Sequence, residues 1–191
     1  MNEAFRRYSP QRLRMAAFSL VELMVAIAVL GIIAAIAAPS MIDMIAKRRV
    51  VGALEETFSL LHLARSEAIK QSRQIRVTIS GGAAAGWLVG LSQGTAPCTG
   101  ADDCQIMEGG TAVTRMSAPA NYPGVALGAG EESTSFVFDS RGLASGLGVS
   151  GATLDFTSEG GWTARIVINP IGRIRPCSPS ASNSAGGYKP C

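Results

Sequence analysis

The sequence predicts an α+β protein in which a long N-terminal helix, with a transmembrane half and an amphipathic half, packs on a small antiparallel β-sheet domain. Three observations predict this class. An apolar run covers 18–38, and apolar residues then recur at three- and four-residue steps as far as 68. After 73 the period falls to two and glycines become frequent, which is typical of short strands joined by turns.

We therefore divide the 191 residues into five segments, which is enough chain for one small domain and a helix. They are a basic leader 1–17, a transmembrane helix 18–39, an amphipathic stalk helix 40–72, a globular β domain 73–176 and a disulfide-tied tail 177–191.

The apolar run is long enough to cross a membrane, since ~20 helical residues span the roughly 30 Å hydrocarbon core of a bilayer. An ordinary secretory signal is one interpretation, but its apolar region is usually only ~7–15 residues long. A plain membrane anchor is a second one, and it leaves Glu22 unexplained. A carboxylate inside a bilayer is costly, so it is usually paired and functional.

The N-terminus resembles that of type IV pilins and type II secretion pseudopilins. The likeness rests on the basic leader, the small Ala17, then Phe18, a short apolar stretch and Glu22, the fifth residue counted from Phe18. Alanine stands at 17 where glycine is commoner in the family. The resemblance implies that a prepilin peptidase cleaves between Ala17 and Phe18, leaving a free amine on Phe18 that is then N-methylated.

The same resemblance gives the partners and the location. The chain is expected to sit in the bacterial inner membrane with a single pass and a periplasmic C-terminal domain, and then to join other pilins in a pilus or pseudopilus. Glu22 would pair with the terminal amine of a neighbouring subunit, because two unpaired charges in an apolar bundle would be costly.

Beyond Pro39, where a kink would fall, we expect the helix to continue to about Gln71. Its apolar face should pack on the sheet. The members of that face are Ile45, Val51, Leu54, Phe58, Leu61, Ala64 and Ala68. His62 is expected to be a surface histidine, and Lys47–Arg49 a solvated face of the stalk rather than a membrane or phosphate contact.

Alternation at Ile75, Val77 and Ile79 predicts a strand that ends at Gly81-Gly82, with 87–92 as its hairpin partner. Weaker strands are expected at 111–116, 135–138, 153–156 and 164–169.

The four cysteines favour two local disulfides, 98–104 and 177–191, although three pairings are open. They are Cys98, Cys104, Cys177 and Cys191. Asp102 and Asp103 have too few neighbouring ligands for calcium, so we expect a solvated loop. With one histidine and no metal-ligand spacing, the sequence predicts a protein that is not an enzyme and needs no cofactor or metal.

Residues 169–172 have turn chemistry, with asparagine first, proline second and glycine last. A three-residue loop with a glycine bulge would place Val167 opposite Arg175 and Ile168 opposite Ile174. Alternation then puts three isoleucines on the inner face, and Arg165, Val167, Arg173 and Arg175 on the outer face. Because 160–191 contains no acidic residue, these arginines would suit a phosphate backbone. A solvated strand face, or pairing with acids of a neighbouring subunit, are the alternatives.

Three segments, 64–80, 136–142 and 165–175, resemble the GspH/FimT branch of the family. The run 172–175 is similar to the GRxR motif of FimT-type minor pilins. This implies that Arg173 and Arg175 contact double-stranded DNA for uptake in natural transformation, with Arg165 and Lys189 as additional candidates. A GspH-like pseudopilin of type II secretion and a FimU-like subunit that primes pilus assembly without DNA are the alternative functions.

Overall fold

The structure is a computed structural model that describes residues 19–82, 86–94, 96–129, 134–179 and 182–191. The described residues form one helix, α1 (Leu20–Lys70), and eleven strands. The strands are β1 (Ile75–Ser80), β2 (Leu88–Ser92), β3 (Gln105–Glu108), β4 (Thr111–Thr114), β5 (Met116–Ser117), β6 (Val125–Ala129), β7 (Thr134–Phe138), β8 (Ala144–Ser145), β9 (Ala152–Ser158), β10 (Thr163–Ile168) and β11 (Ile174–Cys177). The predicted α+β class is confirmed.

The chain divides into two compact units, Met1–Ser40 and Met41–Cys191. In the first unit the described residues are the start of α1, whose apolar side chains are exposed. Ser19 precedes the helix, and its hydroxyl accepts a hydrogen bond from the Glu22 N–H at 3.1 Å, which satisfies one of the free donors of the first turn. This described helix is long and apolar enough to cross a membrane.

The second unit contains two main antiparallel sheets and a two-stranded ribbon of β3 and β4. The first sheet has the order β5-β2-β1-β7-β8, and the second has the order β11-β10-β9-β6. The predicted pairing of β1 with β2 is confirmed, with Val77 opposite Leu91. The predicted antiparallel β-sheet domain is present, but the sequence analysis did not predict the strands β3, β6 and β8. Each of these is short, and β6 (VALGA) carries a glycine in place of a clear alternation.

One face of the stalk half of α1 packs in the core of the second unit. Its fully buried members include Val50, Ala53, Leu54, Leu61, Ala64 and Ala68. They share one cluster with Phe136 and Phe138 of the first sheet and Phe156 of the second. The expectation that Ile45 belongs to this face is wrong, since Ile45 is 45% exposed. Among the described residues of α1, burial begins at Val50, so Ile45 lies before the part of the helix that the core covers.

Both predicted local disulfides are present, Cys98–Cys104 and Cys177–Cys191. Cys98 and Cys104 cover Leu88 on the outer side of β2, which is why every residue of β2 is buried. The carboxylate of Asp103 accepts hydrogen bonds from the N–H groups of Thr99 and Gly100 at 2.8–2.9 Å, so it closes the loop that the disulfide ties.

Candidate functional site

The basic hairpin is formed by β10 and β11, and its register is the predicted one. Val167 lies opposite Arg175, and Ile168 lies opposite Ile174. The Asn169 N–H donates to the Arg173 carbonyl at 2.9 Å, and the Gly172 N–H donates back to the Asn169 carbonyl at 2.9 Å. Gly172 has φ +76°, the left-handed conformation of a glycine bulge. The conformation of the turn 169–172 therefore determines on which face of the hairpin each arginine lies.

Arg173 and Arg175 are exposed on the outer face of the hairpin, while Ile166, Ile168 and Ile174 are buried on the inner face. Both arginines line a concavity of about 150 Å³ together with Val167 and Asn169. Of the residues that the structure describes, no Asp or Glu carboxylate lies within 4.0 Å of either guanidinium, and Arg175 donates one N–H to the main-chain oxygen of Cys191. Two cations thus share one small concave surface and keep their charge available for a ligand.

Arg165 lies on the same outer face, as the alternation predicts, but unlike Arg173 and Arg175 it has a carboxylate partner. Its Nε and Nη2 donate to the Asp155 carboxylate at 2.5 and 2.8 Å, and the two residues lie directly opposite each other on β10 and β9. The bond raises the pKa of the Arg165 guanidinium. Although 160–191 contains no acidic residue, Arg165 is paired, because the neighbouring strand β9 supplies the carboxylate of Asp155 from outside that range.

The hairpin loop rests on the two other segments that carried the family resemblance. The Arg65 Nε of α1 donates to the Gly142 carbonyl at 3.0 Å, and the Ala144 N–H donates to the Pro170 carbonyl at 2.9 Å. A Cβ added at Gly172 would overlap the Gly142 carbonyl oxygen. The segments 64–80, 136–142 and 165–175 therefore meet at one point, directly beneath the arginine-bearing turn.

Asp139 fixes the turn that supports the hairpin. Its carboxylate accepts hydrogen bonds from the N–H groups of Arg141 and Leu143, both at 2.9 Å, and pairs with the Arg141 guanidinium. These bonds, led by that from Leu143, lower the pKa of the Asp139 carboxyl. Sequence reasoning did not identify Arg65 or Asp139 as positioning residues. Their place inside the segments that resemble the family was the available signal.

The tail lies beside the second arginine. Cys191 is bonded to Cys177 at the end of β11, and its carbonyl accepts a hydrogen bond from Arg175 Nη2 at 3.4 Å. Lys189 is exposed, and its carbonyl accepts the Ser178 N–H. Lys189 does not line the concavity that holds Arg173 and Arg175.

The predicted processing residues Ala17 and Phe18 lie outside the described residues. Glu22 is exposed in the first turn of α1.

Two protein-family models match the chain. The model of the family described as type II transport protein GspH matches residues 53–172, and that of the prokaryotic N-terminal methylation motif matches residues 12–38. No curated protein matches the chain.

Two crystal forms of the type IV minor pilin FimU from Pseudomonas aeruginosa are similar in structure, each at 18% sequence identity. One covers 67% of this chain and 87% of FimU with a TM-score of 0.46, and the other covers 65% and 90% with a TM-score of 0.43.

Proposed function

The chain belongs to the GspH family and is a minor pilin or pseudopilin of a type IV pilus or type II secretion system, and on this premise we propose that its basic hairpin binds double-stranded DNA for uptake. The observation that carries the proposal is the pair Arg173 and Arg175, exposed in one concavity and not paired with any described Asp or Glu side chain.

The spacing of the two arginines suits a nucleic-acid backbone. Alternate residues of an extended chain are roughly 6.6 Å apart and point to the same side, so two guanidiniums placed in this way can contact phosphates of one strand together. Guanidinium groups bind phosphate oxygens with two parallel hydrogen bonds, and such contacts position a protein without reading sequence. We therefore expect binding that depends strongly on salt and weakly on sequence.

A gel-shift titration of the full chain in detergent with duplex DNA tests the proposal. Arg173→Ala with Arg175→Ala should weaken binding and lower the slope of log affinity against log salt by about 1.8, since each lost phosphate contact removes about 0.9. The matched control, Lys70→Ala with Arg73→Ala, removes two exposed cations away from the hairpin and its supporting turn and should keep the parent slope. Unchanged binding by the first double variant would refute the proposal.

The N-terminus supports a second part of the proposal. We infer cleavage between Ala17 and Phe18, N-methylation of Phe18 and delivery to the inner membrane with the domain in the periplasm, where the two disulfides are stable. Mass spectrometry of the mature protein tests the processing. Glu22→Ala should leave membrane insertion intact and impair entry into the filament, and normal incorporation of that variant would sink the role given to Glu22.

The description of the matching family favours a second candidate function, that of a pseudopilin in type II secretion. A deletion strain scored for three outputs separates the candidates. Loss of transformation with normal pili supports the DNA receptor, loss of secretion supports the pseudopilin, and loss of pili supports an assembly-priming subunit. For each of these three candidate functions we infer a structural and binding role without catalysis.

A further inference from the structure

The end of the second unit at which the stalk begins carries side chains that the proposed function does not use. Met41, Ile42, Met44 and Ile45 of α1 are all exposed, at 45–69% of their surface. After Ala46 come three consecutive cations, Lys47, Arg48 and Arg49, which the sequence alone assigned to a solvated face. An exposed apolar ridge with a cationic edge is typical of a surface that meets a membrane.

Trp162 adds an aromatic side chain to this end. It lies in the turn between β9 and β10, and its indole N–H donates to the Asp43 carboxylate of α1 at 3.3 Å. The Lys47 ammonium lies 4.8 Å from the centre of the Trp162 ring, in a cation–π contact. Asp43 and Lys47 are one helical turn apart, so together they hold the tryptophan against the helix. Tryptophan is enriched where membrane and water meet.

A cleft of about 280 Å³ lies beside this contact, between α1 and two turns of the domain. Arg49 lines it, and its guanidinium donates to the Pro123 carbonyl at 3.1 Å, which uses one of its five N–H groups. The carboxylates that face the cleft are those of Asp43, which accepts the Trp162 indole, and Glu159. With Lys47 and Arg48 alongside, the local charge is positive.

In the sequence these residues closely follow the apolar run. From Leu20 to Ala38 the apolar run accounts for roughly 28 Å of helix, close to the ~30 Å hydrocarbon core. The headgroup layer on each side adds roughly 5–8 Å. At about 1.5 Å per helical residue, 41–45 would lie roughly 4–10 Å beyond Ala38 and Lys47–Arg49 roughly 14–16 Å beyond it, so the long cationic side chains would reach back to the headgroups.

We propose that this end of the domain docks on the membrane that holds the helix, with Lys47, Arg48 and Arg49 contacting anionic phospholipid headgroups and Trp162 lying at the interface. The surface begins three residues after the end of the apolar run, and this proximity together with its positive charge identifies a lipid surface as the occupant. Docking of this kind would fix how the domain stands before the subunit leaves the membrane for a filament.

Fluorescence quenching of the full chain in lipid vesicles tests the proposal, because the chain contains only two tryptophans. Trp87 is 2% exposed and gives a constant background that lipid cannot reach. Trp162→Phe therefore defines the part of the emission that comes from Trp162. We expect lipids brominated near the glycerol end of their chains to quench that part in phosphatidylglycerol vesicles and much less in phosphatidylcholine vesicles.

Replacing all three cations, Lys47→Gln with Arg48→Gln and Arg49→Gln, should return the quenching in phosphatidylglycerol to the phosphatidylcholine level. Each cation near an anionic surface shifts the docked-to-free ratio roughly fivefold. Arg48→Gln alone, at an exposed position, should give an intermediate loss even if the triple variant folds poorly. The control Lys70→Gln, Arg73→Gln and Arg141→Gln should quench like the parent. The proposal would be overturned if the emission of Trp162 were not quenched. It would also be overturned if quenching were equal in the two lipids and the triple variant were quenched as much as the parent.

Discussion

Two strands of one sheet use the same residue type in opposite ways. Arg165 of β10 and Arg175 of β11 are in adjacent strands of the second sheet, yet Arg165 is held by Asp155 and is about one-third exposed. Arg175 and Arg173 are exposed and have no described carboxylate partner. β10 lies between β9 and β11, whereas β11 is an edge strand. The inner strand has a neighbour on each side to supply an acid, and the edge strand has one only.

The contrast shows that the charge of an arginine does not by itself indicate a binding surface. A guanidinium without a carboxylate partner in its own sheet is free to bind a phosphate. A guanidinium that has such a partner stabilises the fold instead. The edge position of β11 therefore matters for the proposed DNA contact as much as the arginines themselves. Each of the following experiments changes one side of this contrast.

The largest effect is expected from Gly172→Ala, which attacks the turn that sets the face of Arg173 and Arg175. The new Cβ would overlap the Gly142 carbonyl oxygen at a residue whose φ is +76°. Backbone strain and overlap together should lower the free energy of unfolding by roughly 2–5 kcal/mol. Chemical denaturation followed by Trp87 fluorescence measures it.

Gly187→Ala is the matched control for that experiment. Gly187 also has a positive φ, +65°, but a Cβ there would have open space around it. It should cost only about 1 kcal/mol. If both variants lose the same stability, the packing of the turn on Gly142 is not what holds the hairpin.

A smaller effect should separate Arg165 from Arg173 directly. Arg165→Ala leaves a half-buried Asp155 without its partner, and hydrogen bonds to charged groups contribute roughly 1.5–3 kcal/mol. Arg173→Ala removes an exposed side chain and should change stability by less than about 0.5 kcal/mol. In DNA binding the order should reverse, with Arg173→Ala the more harmful. Equal stability of the two variants would contradict the assignment of Arg165 to the fold.

The pair can also be broken from the other side. Asp155→Ala would free Arg165 and should steepen the salt dependence of DNA binding by about 0.9 in slope, as one more phosphate contact becomes available. The control is Glu159→Ala, which removes a carboxylate from the turn that joins β9 to β10. A steeper slope in both variants would mean that net charge alone is responsible.

The sequence predicted the hairpin more accurately than its surroundings. The turn residues 169–172 act locally, so their chemistry was sufficient to give the register of β10 and β11. The pairing of Arg165 with Asp155 depends on the register of β9 and β10, which form a hairpin about Gly160-Gly161. The sequence predicted parts of both strands but not this register. The contact of Arg65 with Gly142 spans 77 residues and has no local signature. Ile45 was misplaced because helical periodicity does not show where the covering sheet begins.

The smallest effect concerns pH and the turn beneath the hairpin. Hydrogen bonds from Leu143 and Arg141 lower the pKa of Asp139 from its ordinary 3.8, so the ionised form favours the folded turn. Their stabilisation is complete above that ordinary value and is lost as the pH falls through the lower folded value. Amide hydrogen exchange at Leu143 and Ala144 should therefore accelerate in acid, beyond the intrinsic dependence of exchange on pH.

Two asparagine variants decide whether Asp139 is the cause. Asp139→Asn should remove the added acid dependence at Leu143 and Ala144, because the amide does not ionise. Asp103→Asn alters a second carboxylate that also closes a loop through backbone N–H groups, but in the Cys98–Cys104 loop, and should leave the hairpin amides unchanged. Since the Ala144 N–H bonds the Pro170 carbonyl, any loosening there reaches the arginine-bearing turn. Acid dependence that survives Asp139→Asn would assign the support of that turn to another group.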